Sequence, residues 1–122
     1  SDINMRVRAV HIGKMQNTFY TEPNDIGVIL DQATASGGSN AAFDYEQTMR
    51  YSLKADALVI VPRPANPALC GKAWLNSAPF SAYYMVSVVD LTCMVGYYAF
   101  IHELGHNLGA AHDRSVAADS SP

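Results

Sequence analysis

Residues 102–113 read HELGHNLGAAHD, and this stretch is the most informative part of the chain. His102 and His106 are four residues apart, so on a helix both imidazoles project from the same face. That spacing suits two nitrogen ligands of one Zn²⁺ ion, each about 2.0–2.1 Å from the metal. Glu103 lies about 100° further round the helix, so it can reach a water beside the metal but cannot readily become a third ligand.

Gly109 and His112 complete this pattern. Glycine tolerates the left-handed backbone that ends helices, so the chain can turn at Gly109 and bring His112 back as the third ligand. Three neutral ligands leave an open fourth position, where the pKa of a water falls toward about 7. Glu103 can then take a proton from the attacking water and pass it to the leaving amine. We expect Asp113 to be structural, accepting hydrogen bonds that fix the turn, because adjacent residues rarely bind one small ion together.

Other interpretations of these histidines are weaker. A bare HExxH sequence occurs by chance in helices, and the alternative is two solvated helix histidines and one loop histidine. The five fixed positions favour zinc. A layout with a later glutamate as third ligand is excluded within these residues, because no Glu follows His106. His11 is far from the motif in a predicted strand, and we expect it to be a partly buried structural residue.

The upstream sequence predicts an α/β fold, α+β in some schemes, with helices around one sheet. Alternating residues predict a strand over 4–12, and a continuous apolar run predicts a buried central strand over 57–61. Further strands are predicted over 71–75 and 83–91, and helices over 25–35, 43–55 and about 94–108. The last helix carries the motif, and its apolar stripe consists of Tyr97, Ile101, Leu104 and Leu108.

Composition narrows the class of protein. At 122 residues the chain makes a single domain, and with 49% hydrophobic and 16% charged residues it can bury a core. The net charge of −3 and the lack of a Lys/Arg cluster argue against a nucleic-acid surface. The apolar stretch 82–101 contains Asp90, so we interpret it as core and not as a membrane span. The chain begins at Ser1 without Met, which suggests a processed or excised piece.

The motif resembles the zinc-binding consensus of the metzincin metallopeptidases, and Asp113 after the third histidine resembles the adamalysin/reprolysin branch. The segments CGKAWL (70–75) and YMVSVVDLTC (84–93) are similar to secreted bacterial reprolysin-like proteins. The resemblance covers roughly residues 4–113. It implies a zinc-dependent endopeptidase with a zincin-like twisted mixed sheet, an antiparallel edge strand, crossover helices and an active-site helix.

The same resemblance implies the substrate site and the cofactors. An extended peptide would pair by strand addition with the edge strand made of Gly71, Lys72, Ala73, Trp74 and Leu75. Trp74 could instead belong to the core. One catalytic Zn²⁺ is implied. The full-length family can also bind Ca²⁺, but no site for it is evident in this sequence.

A methionine turn follows the third histidine in metzincins, whereas all five methionines of this chain precede His102. We therefore expect residues 1–122 to be a fragment, mostly the N-terminal subdomain of a catalytic domain. Two alternatives to a working peptidase remain open. One is a fragment that binds zinc but is catalytically incompetent, and the other is a structural zinc module, which would need a fourth protein ligand.

Cys70 and Cys93 flank two predicted strands. If 71–75 and 88–92 pair as an antiparallel hairpin, the symmetric register places Cys70 opposite Cys93 and allows a disulfide. Two buried free thiols are the alternative, and zinc ligation is a remote third. A disulfide would indicate a secreted or periplasmic protein.

Overall fold

The computed structural model describes residues 7–17, 20–34, 42–63, 70–76, 79, 81–94 and 99–110. The fold is mixed α+β, as the sequence predicted. In chain order the helices and strands are α1 (Ile26–Thr34), α2 (Asp44–Ser52), β1 (Leu58–Ile60), β2 (Gly71–Ala73), β3 (Val86–Val89) and α3 (Ala99–Asn107). Two short 3₁₀ helices, Ala82–Tyr84 and Leu91–Cys93, flank β3. No helix in these ranges is long and apolar enough to cross a membrane.

The three described strands form one sheet in the order β1-β3-β2. β3 runs parallel to β1, with Leu58 opposite Val86, and antiparallel to β2, with Gly71 opposite Val89. All four residues of β3 are buried, whereas those of β1 are half-buried. Within the described residues the central strand is therefore β3, and β1, which was expected to be central, lies at one end of the strand order. Both β1 and β3 are rich in apolar residues, so hydrophobicity alone does not show which strand is central.

Helix α1 packs on one face of this sheet. Its start is stabilised because the Asp25 carboxylate accepts a hydrogen bond from the Gly27 amide at 2.8 Å. The helix predicted over 25–35 is formed, and its buried apolar residues Ile26, Ile29, Leu30 and Ala33 recur at helical spacing, while Val28 is exposed. They form the larger core with residues from α2's entry and from β3: Ile26, Ile29, Leu30, Ala33, Phe43, Val86 and Val88.

Polar capping residues shorten the strand predicted over 83–91. The Ser81 hydroxyl accepts a hydrogen bond from the Tyr83 amide at 3.3 Å, and the Asp90 carboxylate accepts one from the Thr92 amide at 2.8 Å. Each contact starts a 3₁₀ turn. Regular pairing is therefore confined to Val86–Val89.

The strand predicted over 4–12 is not formed in its described part, residues 7–12. Val7, Val10 and Ile12 are exposed, and so is His11, which was expected to be partly buried. Alternation makes a segment suitable for a sheet, but the strand forms only where another strand satisfies its backbone groups. No described strand pairs with this segment.

Cys70 and Cys93 form a disulfide with a Cα–Cα distance of 5.5 Å. The bridge was expected, but the strand register that suggested it was wrong. In the observed register the residue opposite Cys70 is Asp90 and not Cys93, since the Asp90 backbone amide donates to the Cys70 carbonyl at 2.8 Å. The 3₁₀ turn then brings Cys93 back, with its amide donating to the Asp90 carbonyl at 3.0 Å.

Candidate metal centre

Helix α3 packs on the other face of the sheet with an unexpected side inward. Its buried residues are Ala99, Glu103, His106 and Asn107. Ile101 and Leu108, two residues of the apolar stripe noted in the sequence, are 67% and 41% exposed. The helix also starts later than the predicted residue 94, since Met94 belongs to the preceding turn. Residues 95–98, including Tyr97, are outside the described part of the chain.

The end of α3 is a glycine-capped turn. Gly109 has a φ of 95°, in the region that only glycine adopts without strain. Its amide donates to the His106 carbonyl at 3.0 Å, and the Ala110 amide donates to the Gly105 carbonyl at 2.9 Å. These two bonds make a Schellman motif. The structural role expected for Gly109 has a local basis in this motif.

His102 and His106 bring two ring nitrogens together on α3. Their Nε2 atoms are 3.1 Å apart, and the rings meet edge to face. Two ligands of a tetrahedral ion, each about 2.05 Å from it, are separated by about 3.3 Å. The spacing therefore fits Zn²⁺ with little adjustment. The His102 side chain is 48% exposed, so the pair opens toward solvent.

The turn after α3 also orients one of these rings. Nδ1 of His106 lies 2.7 Å from the Ala110 carbonyl oxygen, which can only accept a hydrogen bond. Nδ1 must therefore carry the proton when the ring is neutral, and the lone pair lies on Nε2. A metal ligand needs that lone pair, and such a partner commonly fixes the tautomer of a ligating histidine.

Glu103 extends beneath the histidines into a buried position. Its side chain is only 3% exposed, and Oε1 lies 4.0 Å from Nε2 of His102. Among the described residues Oε2 is buried and has no hydrogen-bond partner. Burial raises the pKa of Glu103 from 4.5 to about 7, because a charged carboxylate loses hydration there. Ligand atoms of His102, Glu103 and His106 all lie within 4.8 Å of one another.

Asn107 was not predicted from the sequence to belong to the site. This residue is completely buried, and its Nδ2 lies 3.1 Å from each of the carbonyl oxygens of Trp74, Tyr84 and Val86. The available signal was its position four residues after Glu103, since both residues then occupy the same face of the helix. Asn107 is the last residue of α3, so this turn of the helix is the one that lies nearest the glycine-capped end.

The residues expected to bind substrate lie at and just beyond β2. Gly71 and Ala73 face α3, whereas Lys72 reaches the start of α1, where Nζ is 3.3 Å from the position of a Cβ on Gly27. Trp74 is partly buried against the core, and its Nε1 donates to the Thr34 hydroxyl at 2.7 Å. Leu75 is 54% exposed. His112 and Asp113 lie outside the described residues.

Comparison with known proteins bears directly on this site. The model of the metallo-peptidase family M12B, reprolysin-like, matches residues 1–113. The chain belongs to this family. The assignment agrees with the metzincin resemblance of the motif, and enzymes of this family use zinc.

Curated relatives of this M12B reprolysin-like chain are bacterial peptidases. A peptidyl-Asp metalloendopeptidase of Stenotrophomonas maltophilia is 32% identical over 108 residues, which cover 88% of this chain and 24% of the relative. A protein of the same name from Xanthomonas campestris pv. campestris is 29% identical over 114 residues, 93% of this chain and 26% of the relative. The chain thus spans about a quarter of the length of these relatives. No solved structure matches it significantly.

Proposed function

We propose that the protein containing this chain is a zinc-dependent endopeptidase. In this proposal His102, His106 and His112 bind one Zn²⁺, and Glu103 is the general base. The observation that carries the proposal is the 3.1 Å separation of the His102 and His106 Nε2 atoms, with the Glu103 carboxylate beside them. The donor set suits Zn²⁺, because imidazole nitrogens are common zinc ligands, whereas Ca²⁺ and Mg²⁺ prefer oxygen ligands.

Each residue then has a distinct task. A bound zinc ion polarises a peptide carbonyl and acidifies water. The Ala110 carbonyl keeps the lone pair of His106 on Nε2, ready to bind the metal. Glu103 accepts a proton from the water that attacks the carbonyl carbon and delivers it to the leaving nitrogen, which completes hydrolysis. Its burial favours proton uptake, because the neutral carboxyl group loses much less hydration on burial than the charged carboxylate does.

The substrate is proposed to pair with the edge of β2. In the described sheet β2 is a terminal strand, so one side of its backbone faces no other strand. An extended peptide can hydrogen-bond to such an edge. Gly71 contacts Glu103, so a peptide on this edge would run beside the base. The Trp74 side chain packs against Thr34, so we assign Trp74 to the core and leave only its backbone near the peptide.

The names of the relatives extend the proposal to substrate and location. Both are called peptidyl-Asp metalloendopeptidases, and we propose that this protein too cleaves peptides beside aspartate. The Cys70–Cys93 disulfide supports a secreted or periplasmic location, since such bonds persist in oxidising compartments. For calcium no support exists within the described residues, where His102, Glu103 and His106 form the only candidate metal cluster.

The test is zinc content and peptide cleavage in the whole protein. We expect one zinc per chain after dialysis, loss of that zinc in His106→Ala, and retention in the control His11→Ala, whose ring is exposed and outside the cluster. Peptides with Asp should be cut faster than matched peptides with Asn. Zinc at full stoichiometry without cleavage would favour the catalytically incompetent alternative, and absence of zinc would refute the proposal.

A further inference from the structure

We propose that Asn107 is a positioning residue of the active-site helix: its side-chain amide fixes α3 against the sheet and thereby places His106 and Glu103. This inference rests on the proposed function. It concerns a residue that touches neither metal nor substrate and acts only through the helix that carries both groups.

The hydrogen bonds of Asn107 define the orientation of its amide. Its Nδ2 lies 3.1 Å from three backbone carbonyl oxygens, and carbonyl oxygens only accept hydrogen bonds. The NH₂ end must therefore face them, with two N–H groups shared among three acceptors. An aspartate at this position would direct carboxylate oxygen at the same three carbonyls and repel them.

These acceptors come from three different segments of the chain. Trp74 follows β2, Tyr84 ends a 3₁₀ turn, and Val86 opens β3. One side chain thus joins α3 to both neighbouring strands. A backbone hydrogen bond reaches the same helical turn: the Asn76 main-chain N–H donates to the His106 carbonyl at 2.9 Å, a bond that does not involve the Asn76 side chain.

Polar residues outnumber apolar ones among the buried residues of α3, and its apolar residues Phe100 and Leu104 are only half-buried. Its buried residues are one alanine and three polar residues, while Ile101 and Leu108 are exposed. Apolar contacts are non-directional, whereas hydrogen bonds to fixed carbonyls specify rotation and depth. Glu103 is one turn before Asn107 on the same face, and His106 is its neighbour in the chain. A helix that rotates or slides therefore moves both groups, and displacement by about 1 Å can cost on the order of 10²-fold in rate.

The experiment compares Asn107→Leu with Asn76→Ala in the whole protein. Asn76 is a matched control, because it is also a buried asparagine, but its side chain bonds only to the backbone of Ser81. For Asn107→Leu we expect zinc affinity, measured by chelator competition, to fall about 10–100-fold. We expect kcat to fall while KM stays near the wild-type value. Hydrogen exchange of α3 amides in the metal-free protein should accelerate. Asn76→Ala should leave zinc affinity within about twofold of wild type.

A second variant covers the case in which Asn107→Leu does not fold. Asn107→Ser keeps one donor, and we expect it to weaken zinc binding in the same direction but less. Zinc affinity and α3 exchange equal to those of Asn76→Ala, in whichever variant folds, would overturn the positioning role alone. A wild-type protein that binds no zinc would overturn the proposed function, and the positioning role with it.

Discussion

Gly71 and Glu103 are in direct contact: a Cβ atom on Gly71 would lie 2.7 Å from Cγ of Glu103 and 3.1 Å from its Cδ. The same Cβ would be 3.0 Å from the Val88 carbonyl oxygen, which belongs to the central strand and cannot easily move. The edge strand and the proposed base are therefore packed too closely for any side chain at position 71.

Gly71→Ala tests this contact. We expect the Glu103 carboxylate to be displaced, with a fall in kcat of about 10²-fold and a destabilisation of about 1–3 kcal/mol from overpacking. Peptide hydrolysis and urea unfolding measure the two effects. Gly105→Ala is the stability control, because among the described residues a Cβ there would meet only the Ala110 Cβ, at 3.8 Å, and alanine is favourable in a helix. Normal turnover by Gly71→Ala would show that Glu103 does not depend on this contact.

Burial of Glu103 predicts a pH-dependent difference between wild type and Glu103→Gln in the absence of metal. The pKa is raised from 4.5 to about 7 in the folded chain, so folding favours the protonated form. The free energy of unfolding of the wild type should therefore fall as pH rises from 4.5 to 7 and then level off. Glutamine has no such penalty. Glu103→Gln should be equally stable near pH 4 and more stable above pH 7, by roughly 3 kcal/mol.

Urea unfolding in the presence of EDTA measures this difference. The comparison between the two proteins cancels the titration of other groups, provided that they are unchanged by the substitution. A difference that is the same at pH 4 and pH 8 would mean that Glu103 carries no burial penalty in the folded chain.

Local chemistry explains what could be predicted from the sequence. The His102–His106 pair and the glycine turn at Gly109 depend on helix geometry and backbone freedom, both of which are properties of neighbouring residues. The buried face of α3 could not be predicted in this way. Apolar periodicity favoured Ile101 and Leu108, but hydrogen bonds from Asn107 to distant carbonyls turn the opposite face inward.

The pairing of strands that are distant in the sequence could not be predicted either. The alternation in residues 4–12 is compatible with a strand, yet residues 7–12 pair with no described strand. The disulfide was predicted from a register that the structure does not contain. The Asp90 side chain caps a 3₁₀ turn, and this turn brings Cys93 to Cys70. A local hydrogen bond therefore contributes to a contact between residues that are far apart in the sequence.

The Cys70–Cys93 disulfide should stabilise the fold. It connects residues 23 apart in the sequence, and closing such a loop is worth about 3 kcal/mol in the chain-entropy model. We expect the Cys70→Ser/Cys93→Ser protein to unfold at lower urea concentration than the oxidised wild type. Reductant should lower the stability of the wild type only. Two alkylatable thiols in the native wild-type protein would refute the bridge.

Trp74→Phe separates the core role of Trp74 from a role in binding peptide. The variant loses the hydrogen bond from Nε1 to the Thr34 hydroxyl, which should cost about 0.5–1.5 kcal/mol of stability. KM should stay unchanged. A double-mutant cycle with Thr34→Val measures the coupling between the two side chains. A large rise in KM with unchanged stability would instead place the indole in the substrate cleft.

The most direct test of the zinc-peptidase mechanism is the turnover of Glu103→Gln at zinc content equal to that of the wild type. Glutamine keeps the size of the side chain but cannot accept the proton from water. If His102, His106 and His112 bind the metal and Glu103 is the base, the variant retains its zinc and loses about 10²–10⁴-fold in kcat. Near-normal turnover by the zinc-loaded variant would contradict the proposed role of Glu103.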